Sequence, residues 1–391
     1  MSSRSKRIGI LTAGGDSPGL NAAIRAITKA AIHSYGMEVF GIYDGFRGLV
    51  DSKCMELTDR MVSGILTAGG TILRTSREKP HKMPVHGEIR DMTDTAVENA
   101  GKMGLDCLVC LGGGGTQRHA FRLHTVGGLN VLTLPKTIDN DVVETDVTFG
   151  FDTARSIATE AIDRLHTTAT SHQRLIVCET MGHNAGWLAL ESGIAGGADV
   201  ILIPEIPYRL DYIADFLRKR RSSGKRFSII AVAEGAIAKD EKRHEGNLTD
   251  ISDLSELSGR DENRDSHPLI VERKDGQTVT YHLTQEPVAS RLARQLQELT
   301  GMETRVTSLG HIQRGGVPTS FDRMLCTLLG TKAAELLAKG TYNVMVGYRN
   351  GRAEPVPLEK VAGFRKTVPS GHPLLRSACL VGTCLGDEQT I

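Results

Sequence analysis

Short apolar runs recur along the chain, each closed by a glycine or a polar turn, with amphipathic stretches between them. Arg7–Leu11, Leu105–Leu111, Val131–Leu134, Leu175–Cys178, Val200–Ile203 and Ile229–Val232 have the length of strands. Their near-continuous hydrophobicity is that of strands covered on both faces. A helix is predicted from Leu20 to about His33, where Ile24, Ile27 and Ala31 share a face. Another is predicted from about Asp152 to Thr168, with Ile157, Ala161 and Leu165 on one side and Asp152 as its cap. Leu210–Arg221 reads as a third. Strands alternating with helices imply βαβ units and a largely parallel sheet. Such units on both sides of residue 150 favour two α/β domains over one.

Two stretches break the pattern. From Ile237 to Pro268 the chain turns charged and polar, which reads as a surface insertion. Ser76 to Gly87 reads as a long polar loop.

Composition narrows the class. A 391-residue chain that is 40% hydrophobic and 24% charged describes a globular protein. No apolar run approaches the ~18 residues of a membrane span, and the N-terminus shows no apolar signal core. A cytoplasmic location is expected. The formal net charge of +1 gives no bulk electrostatic case for nucleic acid or a membrane. The basic run Arg218-Lys219-Arg220-Arg221 ends a predicted helix, where cations suit the dipole. Seven scattered cysteines suggest no disulfide framework. Cys107 and Cys110 are three apart on a predicted strand and so face opposite sides of it, which argues against a redox or zinc pair.

Candidate chemistry gathers at the ends of the predicted strands. Pro135-Lys136-Thr137-Ile138-Asp139-Asn140-Asp141 follows the Val131–Leu134 run and puts two carboxylates where open α/β sheets place their chemistry. Two glycine-rich turns each follow a strand and precede a helix. They are Thr12-Ala13-Gly14-Gly15-Asp16-Ser17-Pro18-Gly19 and Gly112-Gly113-Gly114-Gly115-Thr116, the latter before a helix expected near Gln117. Glycines let backbone N–H groups approach an anion, and the next helix supplies a favourable dipole. Neither turn is a GxGxxG or a P-loop. Ser171-His172-Gln173-Arg174, Arg305 and His311-Ile312-Gln313-Arg314 add groups suited to a phosphorylated ligand.

Taken in order, these motifs resemble the 6-phosphofructokinase family from Arg7 to about Arg323, together with Met181-Gly182-His183-Asn184-Ala185-Gly186-Trp187, Ala233-Glu234-Gly235 and Gly310 to Gly316. The resemblance implies two Rossmann-like α/β domains with mainly parallel sheets, the active site in the cleft between them, and a homodimer or homotetramer. Residues 1–150 with about 313–363 would form the larger, donor-binding domain. Residues 151–312 with about 364–391 would form the smaller, sugar-phosphate domain, carrying the insertion at 237–268. The implied reaction moves the ATP γ-phosphoryl group to the C1 hydroxyl of fructose 6-phosphate, with Mg2+ as cofactor. By resemblance, Asp139 is the general base, and Thr137 and Ile138 line the sugar site. Arg174, Arg305, His311 and Arg314 bind the sugar phosphate, with Arg174 and Arg305 acting across a subunit boundary. Met181, Gly182, His183 and Glu234 position the sugar. Gly14, Arg77 and Gly112, Gly113, Gly114, Gly115 and Thr116 hold the donor.

Three positions depart from the family pattern. Gly114 stands where an acidic magnesium ligand is common, which leaves magnesium to donor phosphates, water and Asp141. His183 replaces an arginine, and Arg74 replaces a small residue. Donor choice turns on Gly115 and Lys136. Pyrophosphate users of the family carry Asp at the Gly115 position, which would crowd the ATP α-phosphate, whereas Lys136 accompanies pyrophosphate use and also a branch of ATP users. Steric exclusion is the harder constraint, so ATP is preferred. The alternatives are a pyrophosphate-dependent enzyme and a weakly active or regulatory sugar-phosphate-binding paralogue.

Overall fold

The apolar runs pair side by side as parallel strands, and each is covered by helices on both faces. A computed structural model describes residues 5–240, 267–272, 278–283 and 286–388. Its strands are β1 (Arg7–Thr12), β2 (Glu38–Ile42), β3 (Cys54–Glu56), β4 (Met83–Val85), β5 (Glu88–Arg90), β6 (Cys107–Gly112), β7 (Val131–Pro135), β8 (Leu175–Thr180), β9 (Val200–Leu202), β10 (Ser228–Ala233), β11 (His267–Glu272), β12 (Thr278–Leu283), β13 (Thr304–Ser308), β14 (Val344–Arg349) and β15 (Arg352–Pro357). Its helices are α1 (Leu20–Tyr35), α2 (Phe46–Val50), α3 (Thr93–Lys102), α4 (Gly114–Thr125), α5 (Phe151–His172), α6 (Trp187–Ala195), α7 (Leu210–Ser222), α8 (Val288–Thr300), α9 (Ser320–Ala338) and α10 (Pro373–Leu380).

A seven-stranded sheet runs β15-β14-β7-β6-β1-β2-β3, with β15 and β3 antiparallel at its edges and the strands between them parallel. A second sheet, β13-β8-β10-β9, is parallel throughout. Side chains alternate between two cores on each sheet. Cys107, Val109 and Leu111 pack with α1 and α9 residues, whereas Leu108 and Cys110 face Phe46, Ala120 and Leu123. The two cysteines thus lie on opposite faces, as the strand period requires. In the second sheet Ile176 and Cys178 meet α5 and α6 residues, and Leu175 and Val177 meet α7 and α8 residues.

Several local expectations change. The stretch read as one polar loop, Ser76 to Gly87, ends in β4 and the turn of the hairpin β4–β5, closed by His86 and Gly87 at φ 52° and 85°, the positive values a two-residue type I′ turn needs. Helix α4 begins at Gly114, not near Gln117. Asp152 does not cap α5: the cap is Gly150, and the Asp152 carboxylate accepts the Thr319 hydroxyl at 2.6 Å. Most of the polar insertion, residues 241–266, lies outside the described residues.

Candidate active site

Two glycine-bearing turns meet where the strand order of the larger sheet reverses. The chain leaves β1 toward β2 on one side and leaves β6 toward β7 on the other, which makes the crevice between their carboxyl ends a topological switch point. After β1 the Gly14 N–H donates to the Ser76 carbonyl at 2.9 Å, and its own carbonyl accepts the Thr75 hydroxyl at 2.7 Å. Exposed Arg77 is thereby carried beside this turn. After β6, Gly112 and Gly113 lead into α4, whose helical bonding begins with Gln117 N–H on the Gly113 carbonyl at 3.0 Å. The N–H groups of Gly114, Gly115 and Thr116 precede that bond and are free of helical partners, at the positive end of a 12-residue helix. The Thr116 hydroxyl donates to the Ala13 carbonyl at 3.4 Å, tying the two turns together. Lys136, buried at the end of β7, hydrogen-bonds through Nζ to the Gly15 carbonyl.

Asp139 sits on the next turn. Its N–H donates to the Thr137 hydroxyl at 3.0 Å, and that hydroxyl donates to Asp139 Oδ2 at 3.2 Å. Asp139 Oδ1 is buried and has no hydrogen-bond partner among the described residues. Ile138 points into the core beneath the smaller sheet, so this turn belongs to both halves of the cleft.

The facing wall is built from the carboxyl ends of the smaller sheet. β8 leads to Met181, Gly182 and His183, the last two at φ 135° and 51°. The His183 N–H donates to Glu234 Oε1 at 2.8 Å, after β10. Burial pushes the Glu234 carboxyl above its ordinary value, and the charges of Asp139 and Glu179 add to the rise, against the His183 N–H and Arg314. Glu234, Asp139 and Arg314 therefore share one electrostatic neighbourhood. Arg314 and exposed His311 lie on the 3-10 turn Gly310–Arg314. Arg314 donates to the Asp16 carbonyl at 3.2 Å, while its Nε is buried without a partner among the described residues.

Arg174 and Arg305 are not brought to this cleft. They stand at the amino ends of β8 and β13, both paired with Glu303, Arg174 at 2.8 Å. The six residues of β8 separate Arg174 from Met181, a run of about 20 Å.

A profile for "Phosphofructokinase" matches residues 7–337. The chain belongs to the phosphofructokinase family. It is 52% identical over 383 residues to an "ATP-dependent 6-phosphofructokinase" of Propionibacterium freudenreichii, covering 98% of this chain and 100% of that one. A Spirochaeta thermophila protein of the same name is 51% identical, with 98% of each chain covered. The solved phosphofructokinase of Saccharomyces cerevisiae shares the fold at a TM-score of 0.71 and 31% identity, over 91% of this chain and 45% of that one. This phosphofructokinase-family chain thus spans less than half the length of the yeast chain.

Two residues near the Asp139 turn, one from its motif and one distant in the chain, are placed by contacts between that motif and residues 365–366. Asp141, offered as a magnesium ligand, has its carboxylate 3.4 Å from Arg365 Nε. Among the described residues no group of His, Cys, Asp and Glu is arranged to hold a metal ion. Lys366 reaches the Asp139 turn from the far end of the chain, donating to Asn140 Oδ1 at 2.9 Å, and burial pushes its ammonium down to about 8. Asn140 lies within the Pro135–Asp141 motif, whereas Lys366 carries no local signal.

Proposed function

We propose that the protein is an ATP-dependent 6-phosphofructokinase acting in the cytoplasm, transferring the γ-phosphoryl group of ATP to the C1 hydroxyl of fructose 6-phosphate to give fructose 1,6-bisphosphate and ADP. One observation carries this reading. Asp139 has one oxygen fixed by Thr137 and the other buried without a partner among the described residues, between the start of α4 and the Glu234 wall. A carboxylate oriented in that way suits a general base whose proton acceptor awaits a hydroxyl. The names of the full-length relatives support the donor and the reaction.

In this reading the sugar lies between the Thr137–Asp139 turn, whose Ile138 side chain anchors it in the core, and Met181, Gly182, His183 and Glu234, with its phosphate toward His311 and Arg314. The donor phosphates rest on the free N–H groups of Gly114, Gly115 and Thr116, beside Gly14 and Lys136, with Arg77 at the rim. Asp139 takes the C1 hydroxyl proton as that oxygen bonds to phosphorus, and the bond from phosphorus to ADP breaks. Catalysis is then chiefly alignment and charge neutralisation. Mg2+, when bound, would neutralise charge on the donor phosphates; Gly114 offers it no carboxylate, so donor phosphates, water and Asp141, whose carboxylate lies 3.4 Å from Arg365 Nε, would hold it. Arg174 and Arg305 serve the site of a second copy of this chain, which makes the working unit a homo-oligomer. The two domains run as 1–150 with about 313–363, and 151–312 with about 364–391.

The test is an assay of the purified protein with fructose 6-phosphate and each donor. Turnover with ATP is expected, with Asp139→Asn lowering it at least about 10²-fold. Turnover with pyrophosphate and not ATP would reject the donor assignment, and no turnover with either would favour a binding paralogue.

A further inference from the structure

Residues 365–368 touch both walls of the cleft. The Lys366 N–H donates to the Asp141 carbonyl at 2.8 Å. Two residues on, the Val368 N–H donates to Glu205 Oε1 at 2.9 Å, and the same oxygen accepts the Gly186 N–H at 3.0 Å, just before α6. Trp187 Nε1 donates back to the Lys366 carbonyl at 3.2 Å.

The Lys366 side chain is placed more sharply still. Its ammonium donates to Asn140 Oδ1 at 2.9 Å, the Thr145 carbonyl at 2.9 Å and the Asp146 carbonyl at 3.0 Å. It also lies 5.6 Å from the centre of the Trp187 ring, within cation–π range. An ammonium has three N–H groups, and here each has an acceptor. Asn140 is buried at φ 53°, a conformation that needs support in a residue bearing a side chain. Its amide oxygen also accepts the Thr148 N–H at 3.1 Å, and the Thr148 hydroxyl donates to the Thr137 carbonyl at 2.7 Å. Thr137 in turn holds the Asp139 carboxylate. One hydrogen-bonded chain therefore runs from the lysine to the carboxylate beside the sugar site.

We propose that Lys366 is a positioning residue for phosphoryl transfer: it clamps the Asn140 turn so that Asp139 faces the reacting hydroxyl, and the Trp187 wall holds the clamp in place. This rests on Asp139 being the base. Removing the ammonium takes a donor from all three acceptors, leaves Asn140 Oδ1 with the Thr148 N–H alone, and loosens the turn. A base displaced by about 1 Å costs on the order of 10²-fold in rate.

Lys366→Met keeps the length of the side chain and removes the charge. Its kcat is expected to fall on the order of 10²-fold, with KM for each substrate changed less than about threefold. Lys366→Cys alkylated with 2-bromoethylamine restores an ammonium at nearly the same reach and is expected to recover about half of the parental kcat or more. The parent treated alike controls for Cys54 and Cys379. Lys366→Arg should recover less, since a planar fork does not match three acceptors around one nitrogen. Asn140→Ala, which leaves the lysine both carbonyls, should show the same fall in kcat. Melting temperatures are read for every variant. A kcat within about threefold of the parent for Lys366→Met or Asn140→Ala, a loss matched by unfolding in both, or no recovery on alkylation would overturn the proposal. Asp139→Asn separates the two ideas: if it keeps activity, the assignment of the base fails, whereas its loss beside an active Lys366→Met rejects the positioning role alone.

Discussion

The carboxylate of Asp322 accepts the backbone N–H of Gly150 at 2.9 Å, so the cap residue of α5 is held by a side chain 172 positions later in the chain. The other oxygen takes the Thr153 N–H at 2.9 Å and the Thr153 hydroxyl at 2.5 Å. Gly150 ends the segment that braces the Asp139 turn, where Phe149 N–H donates to the Pro135 carbonyl at 3.2 Å. A fully buried carboxylate thus ties α9 to the start of α5, close behind the candidate base.

Burial raises the Asp322 carboxyl from 3.8 to about 6, against its hydrogen bonds from Thr153 and Gly150. The folded chain therefore holds this proton to higher pH than the unfolded chain does. Its contribution to stability is complete below the unfolded value and is lost as pH rises through about 6. Urea unfolding at pH 5 and pH 8 should show the parent losing about 1 kcal/mol more than Asp322→Asn over that interval. Equal losses in the two proteins would reject the linkage.

Glu234 offers a second pH dependence, this one in catalysis. Burial and the charges of Asp139 and Glu179 raise its carboxyl, so it loses its charge at a higher pH than an exposed glutamate. If the carboxylate accepts a sugar hydroxyl, kcat/KM for fructose 6-phosphate declines on the acid side as that proton binds. Glu234→Gln keeps an acceptor for the His183 N–H. It should raise KM about tenfold, equivalent to about 1.4 kcal/mol, and remove this part of the acid limb. An unchanged KM and an unchanged limb would place the sugar elsewhere.

What the sequence makes legible here is what depends on neighbours. The strands β1, β6, β7, β8, β9 and β10 show as apolar runs because burial on both faces leaves no polar positions, and the opposite facing of Cys107 and Cys110 follows from the strand period alone. The glycine turns and the Asp139 segment show because their chemistry is local. Asp322 and Lys366 stay hidden, since each acts on a turn more than a hundred residues away. The start of α4 at Gly114 runs against glycine's poor helix propensity; the Thr116 bond to Ala13 and the adjoining sheet hold it.

Gly115 tests the donor. It lies in the first turn of α4, where a carboxylate suits the helix dipole, so Gly115→Asp should fold normally. The same carboxylate would face donor phosphates with like charge. Turnover with ATP is expected to drop on the order of 10²-fold in kcat/KM, and that with pyrophosphate by less. A variant that keeps parental use of ATP would show that the donor does not rest against this turn.

Arg174 tests whether sites are shared between copies. It stands at the opposite end of β8 from Met181 and is paired with Glu303 beside Arg305. With the length of β8, about 20 Å, between it and Met181, the Arg174 guanidinium stands away from the end of the strand that leads into its own chain's cleft. In a symmetric pair it can face the partner's cleft. Asp139→Asn and Arg174→Ala should each be nearly inactive alone. When the two are co-expressed, a mixed dimer has one site carrying both changes and one carrying neither. Random assortment then restores about a quarter of the parental activity. Mixed dimers isolated by two affinity tags should show about half of it per dimer, with near-parental KM at the intact site. Tagged mixed dimers without activity would mean that Arg174 serves the site of its own chain, and an active Arg174→Ala homodimer would mean that it serves neither.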